Sequence, residues 1–266
     1  MMKAWLFTLG TEVVTGRVVN TNAAYLGRRL TLLGFDVLGS VSLVDDVELI
    51  ASWLAQVLLG KPALVVTTGG LGPTYDDVTL EAVARATGRR LVLNEDALDM
   101  VRRKYEERGL PLTPERVKMA YLPEGGEAIP NPVGTAPGCW LRHGGTVVVS
   151  LPGVPSELEA MWEGYVEPRL REVVPLKHVA ERLFTVIGVP ESSAAVAVKE
   201  LLRRYPSLYV KTHPKGHETR GPVLVVYVQA SAGSREEAES AAENAARELA
   251  AKLESMGGEV SWGGTL

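Results

Sequence analysis

Cysteine occurs once in this chain, at Cys139, so no internal disulfide and no thiolate zinc cage can form. Histidine is nearly as scarce, four in 266 residues. Acid–base chemistry here must therefore lean on carboxylates. Glutamine appears only twice while charged residues make up 23%, a balance that suits a hot environment. No segment approaches the ~20 apolar residues of a membrane helix. The apolar start, "MMKAWLFTLG", is too short for a signal peptide and soon meets a glycine. Long basic runs are missing too. Lys+Arg is 28 against Asp+Glu 32, a formal charge of −4, which argues against nucleic acid as a partner. These absences fit a reducing cytoplasm. What is present is a hydrophobic share of 46% over 266 residues, enough for one large domain or two smaller ones.

The first two-thirds alternate between strands and helices. "KAWLFTL" (3–9) reads as a buried strand, and "NTNAAYLGRRLTLLG" (20–34) as a helix stopped by Gly34. "FDVLGSVSLV" (35–44) is a strand and "VELIASWLAQVLLG" (47–60) a helix. "ALVVTT" (63–68) is apolar throughout, as a strand buried on both faces would be. "DVTLEAVARATG" (77–88) is a further helix. This order with short links predicts an α/β fold, a doubly wound and mostly parallel sheet. Further helices are expected over 94–109, 113–123 and about 155–172, with a proline-rich loop and a hairpin strand, "TVVVSL" (146–151), before the last. A boundary near Val174-Pro175 divides residues 1–174 from 175–266. Beyond it the order is β-α-β-β-α, with "EVSWGG" as a sixth element, which predicts a smaller ferredoxin-like α+β domain. Its polar loop, with Lys211, His213, Lys215, His217 and Arg220, reads most simply as a solvated hairpin turn.

The chemistry gathers at "TTGGLGPTYDD" (67–77), after the most apolar strand. Ligands of open α/β sheets bind beyond the carboxyl ends of the strands, and helix starts favour phosphate. A diphosphate is expected on the amides of Gly69, Gly70, Gly72 and Thr74. The P-loop lysine is missing, and Tyr75 stands where a dinucleotide fingerprint wants Gly or Ala. Acidic residues beside a phosphate site imply a divalent cation such as Mg²⁺, which takes carboxylates plus substrate phosphate. Glu12, Asp45 and Asp77 follow three strands and should share one rim, with Asp76 as a further ligand. Asp45-Asp46 and Asp76-Asp77 also read as helix caps. Asn20 and Asn22 either cap a helix or meet a sugar or base edge. Ser156 and Glu157 open a helix after "LPGVP", where they cap it or, for Ser156, touch phosphate.

"GTEVVTGRVVNTNAAYLGRRL", "TTGGLGPTYDDVT", "NPVGTAPG" and "LPGVPSEL" together resemble the motif set of the CinA (competence-damage-inducible) family, over about residues 4–172. The N-terminal domain of that family is similar to the molybdopterin-binding domain of MoaB and Mog proteins. The resemblance implies a MoaB/Mog-like fold, with Asp77 and Asp45 as catalytic residues in nucleotide and metal chemistry. It implies metal-dependent hydrolysis of ADP-ribose, or alternatively adenylyl transfer to molybdopterin or non-catalytic nucleotide binding. It further implies assembly as dimers or trimers. Leu71, where Mog-like turns carry threonine, and the "NTN" segment favour the CinA branch. The amidohydrolase domain of long CinA proteins, which deamidates nicotinamide mononucleotide, has no room in a chain of this length.

Overall fold

Alternation of buried strands with one-sided helices builds the first unit. The computed structural model describes residues 2–175, 177–215 and 221–263. The chain runs through β1 (Met2–Leu9), α1 (Thr11–Val14), α2 (Thr21–Leu32), β2 (Phe35–Leu43), α3 (Val47–Leu59), β3 (Leu64–Thr68) and α4 (Thr79–Ala86). It continues with β4 (Leu91–Leu93), α5 (Glu95–Glu106), α6 (Pro114–Lys118), β5 (Tyr121–Pro123) and β6 (Glu127–Ile129). A hairpin of β7 (Gly138–His143) and β8 (Thr146–Leu151) follows, then α7 (Pro155–Met161), a π-helical turn (Trp162–Val166) and α8 (Glu167–Val173).

The main sheet has the order β2-β1-β3-β8-β7-β6. β2, β1, β3 and β8 are parallel, and β7 and β6 complete the edge antiparallel. β3 and β8 are buried along their whole length, because helices cover both faces. On one face Phe7, Leu9 and Val65 pack with Ile50, Leu54, Val83 and Val101. Each fully buried Leu, Ile or Phe contributes roughly 1.5–3 kcal/mol. The register decides where the strands stop: Leu9 pairs with Leu43, Thr8 with Thr68, and Thr68 with Leu151. Four carboxyl ends therefore stand level along one edge. The chain leaves β1 to one side for β2 and returns to the other for β3, which opens the crevice typical of such sheets.

Three details differ from expectation. The segment 113–123 is only half helical, since α6 stops at Lys118 and Tyr121–Pro123 pairs with β4. Strand pairing there overrides local helix preference. The helix expected from Asp77 starts at Thr79, with Val78 at its cap. The helix over 155–172 is interrupted by the wide turn at Trp162–Val166. Pro168 follows that turn, and having no N–H it cannot continue the ordinary ladder.

The chain divides into two compact units, residues 1–31 with 35–175, and 32–34 with 176–266. The second holds β9 (His178–Ile187), α9 (Glu191–Arg204), β10 (Tyr209–Lys215), β11 (Val223–Ala232), α10 (Arg235–Ser255) and β12 (Glu259–Trp262). Its antiparallel sheet has the order β10-β11-β9-β12, the ferredoxin-like arrangement. Phe184, Val186, Leu224, Val226 and Val228 meet Leu201, Leu249 and Leu253 from the two helices. A capping box of Ser234 and Glu237 starts α10. His217 and Arg220 of the polar loop lie outside the described residues.

Candidate functional site

The level strand ends deliver their loops to one pocket of about 440 Å³, lined in part by Glu12, Asp45, Asp76, Asp77 and the glycine turn. Loop closeness explains the first glycine. Gly69 has φ +96, and a Cβ there would collide with the carbonyl oxygen of Leu9. Neighbouring Gly70 has φ +65, and a Cβ there would strike the Thr79 hydroxyl. That hydroxyl donates to the Gly69 carbonyl at 2.7 Å, so the turn is sewn to the start of α4.

Four amides are expected to hold phosphate, and two of them are already committed. Gly69 N–H donates to Leu151 O at 3.0 Å. Thr74 N–H donates to Asp77 Oδ2 at 2.8 Å. The first bond ties β3 to β8, and the second closes the turn on itself. Gly70 and Gly72 remain, joined by Leu71, whose amide was not foreseen; none of the three donates to a protein acceptor among the described residues. An anion in this pocket thus has three adjacent backbone donors to meet, as in other glycine-rich nests.

The aspartates are loop builders on one oxygen and open on the other. Asp77 Oδ2 accepts from the Thr74 amide and from the Thr74 hydroxyl at 2.6 Å. The same hydroxyl also reaches Asp76 Oδ1. Thr74, its own amide and the ammonium of Lys118 hold the Asp76 carboxyl below its ordinary value. Asp45 Oδ2 accepts from the amide and hydroxyl of Thr11 at 2.8 and 2.9 Å. Asp45 is therefore not a helix cap. Its neighbour Asp46 is, accepting from Leu49 N–H at 2.8 Å. Neither Asp76 nor Asp77 caps α4, where no side-chain cap exists. Among the described residues, Oδ1 of Asp45 and Oδ1 of Asp77 take no protein hydrogen bond, nor does the Glu12 carboxylate.

The expected metal ligands do not form a ready cage. Among the described residues no group of three His, Cys, Asp or Glu side chains is gathered closely enough to hold an ion. The donors at the pocket are nonetheless all oxygen, which suits a hard cation that draws its remaining ligands from phosphate and water. Among the described residues no Lys, Arg or His lines the pocket, while five carboxylates do. A polyanion entering alone would meet net repulsion.

Other expected contacts fall away from the pocket. Asn20 caps α2 through Ala23 N–H at 3.0 Å, and its amide donates to Thr8 and Ser42 hydroxyls. Asn22 is buried and donates to Gly153 O at 2.8 Å, tying α2 to the loop after β8. Ser156 is exposed and does not line the pocket. The residue beside it, Glu157, does. Its Oε2 accepts from Asn131 Nδ2 at 2.7 Å, and Asn131 Oδ1 accepts from the amides of Val133 and Gly134. The "NPVGTAPG" loop is thereby closed on itself and brings Thr135 and Ala136 to the wall. Cys139 is buried, and burial pushes its thiol up to about 12, so it is no nucleophile.

Comparison with known proteins gives a consistent result. Residues 5–172 match a family model described as "Probable molybdopterin binding domain". A protein of Aeropyrum pernix is 51% identical over 259 residues, 97% of this chain and 96% of the relative. The crystal structure of CinA from Thermoplasma acidophilum, reported as of unknown function, is 44% identical with a TM-score of 0.58. It covers 62% of this chain and 98% of that one. The molybdopterin biosynthesis enzyme MoaB of Thermus thermophilus is 21% identical with a TM-score of 0.44, covering 66% of this chain and 92% of that one.

Proposed function

Because this chain belongs to the family of probable molybdopterin binding domains, in its CinA branch, we propose that it hydrolyses the phosphoanhydride of a nucleotide diphosphate, with ADP-ribose as the leading substrate. One observation carries this reading. A pocket built from four level strand ends joins backbone donors of Gly70, Leu71 and Gly72 to oxygens of Asp45 and Asp77, none of which has a hydrogen-bond partner among the described residues.

The chemistry divides among the residues accordingly. The glycine-turn amides bind and orient the phosphate oxygens. Asp45 and Asp77 are the residues that would hold a divalent ion, through Oδ1, while Oδ2 keeps each loop in place. Such an ion, when bound, neutralises charge on the leaving phosphate. An attacking water must also lose a proton. With Asp45 and Asp77 assigned to the ion, Glu12, whose carboxylate accepts no hydrogen bond among the described residues, is the lining residue assigned to take it. Glu157, held by Asn131, shapes the opposite wall.

The test is a panel of diphosphate nucleotides with several divalent ions, reading AMP release. Asp77→Asn is preferred to alanine, because asparagine retains an oxygen to accept from Thr74. Loss of metal-dependent turnover with retained folding is the expected outcome, and full turnover in that variant refutes the assignment. A second reading, a pterin ligand at the same turn without hydrolysis, is favoured by the family description. Tight pterin binding with no AMP release would establish it.

A further inference from the structure

The segment after β1 is turned outward. α1 buries none of its residues, and every position from Thr15 to Val19 is exposed. Val14, Val18 and Val19 stand in water there, the last of them 80% exposed. Tyr75 of the glycine turn, Val133 of the "NPVGTAPG" loop and Val154 after β8 are exposed as well. These are the loops that line the pocket, so its rim is apolar while its lining is acidic. A single exposed valine is ordinary, but a group of them on the loops of one pocket marks an interaction surface. One cation, Arg17, stands among the valines. The Arg17 and Val18 amides both donate to Glu12 O, at 2.9 and 3.1 Å, and Gly16 makes the turn at φ +73. The loop is thereby fixed. Arg17 is exposed, and its guanidinium has no partner among the described residues. It does not line its own pocket, although Glu12 does.

The pocket has the complementary deficit, five carboxylates and no basic side chain among the described residues that line it. We propose that two copies of this chain meet rim to rim, and that Arg17 of each enters the pocket of the other. In a two-fold contact the same patch serves both copies. The valines of the two rims cover one another, and each guanidinium meets the carboxylates and the diphosphate of the facing pocket. The inference rests on the diphosphate reading above and adds to it a group supplied in trans. In that reaction the oxygen of water bonds to phosphorus, its proton passes to Glu12, and the bridging P–O bond breaks. The leaving phosphate keeps the electron pair, and the partner's Arg17 neutralises that charge.

Sedimentation gives the oligomeric state of the full chain, and AMP release from ADP-ribose with Mg²⁺ gives kcat. The unmodified chain should be a dimer, and Val19→Asp should dissociate it. Arg17→Ala should stay dimeric and lower kcat about a thousandfold. The decisive sample is a heterodimer of Arg17→Ala with Asp77→Asn, co-expressed with two tags and purified through both. One of its pockets keeps Asp77 and receives the partner's Arg17, so it should recover about half the parent rate. A heterodimer as inactive as either variant overturns the exchange and returns Arg17 to its own pocket. A monomeric parent, or a Val19→Asp chain that remains dimeric, overturns the rim contact, while hydrolysis itself stands. If the parent releases no AMP, the hydrolase reading falls, and calorimetry with Mg²⁺ and inorganic pyrophosphate decides the exchange. One restored site per heterodimer then supports it, and none overturns it.

Discussion

In the six-stranded sheet, β1, β2, β3 and β8 run the same way, and Leu9, Leu43, Thr68 and Leu151 end side by side. In the four-stranded sheet every neighbour reverses, so Ile187 at the end of β9 pairs with Val223 at the start of β11. Parallel strands send all their following loops to one edge. Antiparallel strands share theirs between two edges. The first unit accordingly concentrates Glu12, Asp45, Asp77 and Glu157 around one pocket. Polar groups of the second form separate pairs, such as Thr212 with Glu191 at 3.1 Å or Arg182 with Glu243 at 2.6 Å. Strand direction, more than composition, decides which sheet can assemble a reaction site.

The sharpest way to break that contrast is to remove one charge from each sheet. Asp45→Asn should lower diphosphate turnover on the order of a hundredfold and raise the divalent-ion concentration needed for half-maximal rate. Lys211→Ala, an exposed substitution on β10, should leave both quantities unchanged. A comparable loss from Lys211→Ala would show that the second sheet takes part in the chemistry.

Backbone strain offers a second contrast, smaller in effect. Gly69 (φ +96) and Gly257 (φ +91) both occupy left-handed backbone. A Cβ at Gly257 meets nothing within 4 Å, whereas one at Gly69 runs into the Leu9 carbonyl. Gly257→Ala should cost about 1–2 kcal/mol from conformation alone. Gly69→Ala should cost about 3 kcal/mol, because close packing at the crevice adds to the strain. Thermal unfolding of the two variants measures the difference, and equal losses would mean that β1 and β3 are free to separate at that point.

Much of this architecture is legible in the residues, for reasons that also mark the limit. "ALVVTT" announces a strand buried on both faces, and β3 is one. The helix expected over 94–109 is present as α5, and Asn94 caps it by accepting from Ala97 N–H at 2.9 Å. These are local signals, acting within a few residues. The partners of the acidic residues are not local. Asp45 bonds Thr11 across 34 positions, and Asn131 bonds Glu157 across 26. Nothing near Asp45-Asp46 reveals which of the two caps α3 and which reaches the site. The commitment of the Gly69 amide to Leu151 likewise depends on β8, a strand 82 residues further on in the chain (151 − 69). Ser156 and Glu157 stand together in the sequence, yet only Glu157 lines the pocket.

Acid offers the mildest contrast between the units. Glu167 is 12% exposed at its side chain and takes hydrogen bonds from Arg29 at 2.6 Å, Arg171 at 2.8 Å and the Trp162 indole at 3.1 Å. Burial pushes its pKa up, but the arginine bonds together outweigh it and hold the carboxyl below its ordinary 4.5. In the second unit Glu243 is also held low, by bonds from Arg182 and Arg247, but at a solvated position. A depressed carboxyl contributes stability that is complete above its unfolded value and is lost as pH falls through the folded one. Glu167→Gln should therefore cost about 1–2 kcal/mol near neutral pH and progressively less below about pH 4, where the parent has lost the same contribution. Glu243→Gln should move the unfolding midpoint little at either pH, since exposed pairs are screened by water and salt. Denaturant midpoints at pH 7 and pH 3 decide between the two. A pH-independent loss in Glu167→Gln would mean that the side chain acts there through packing instead of charge.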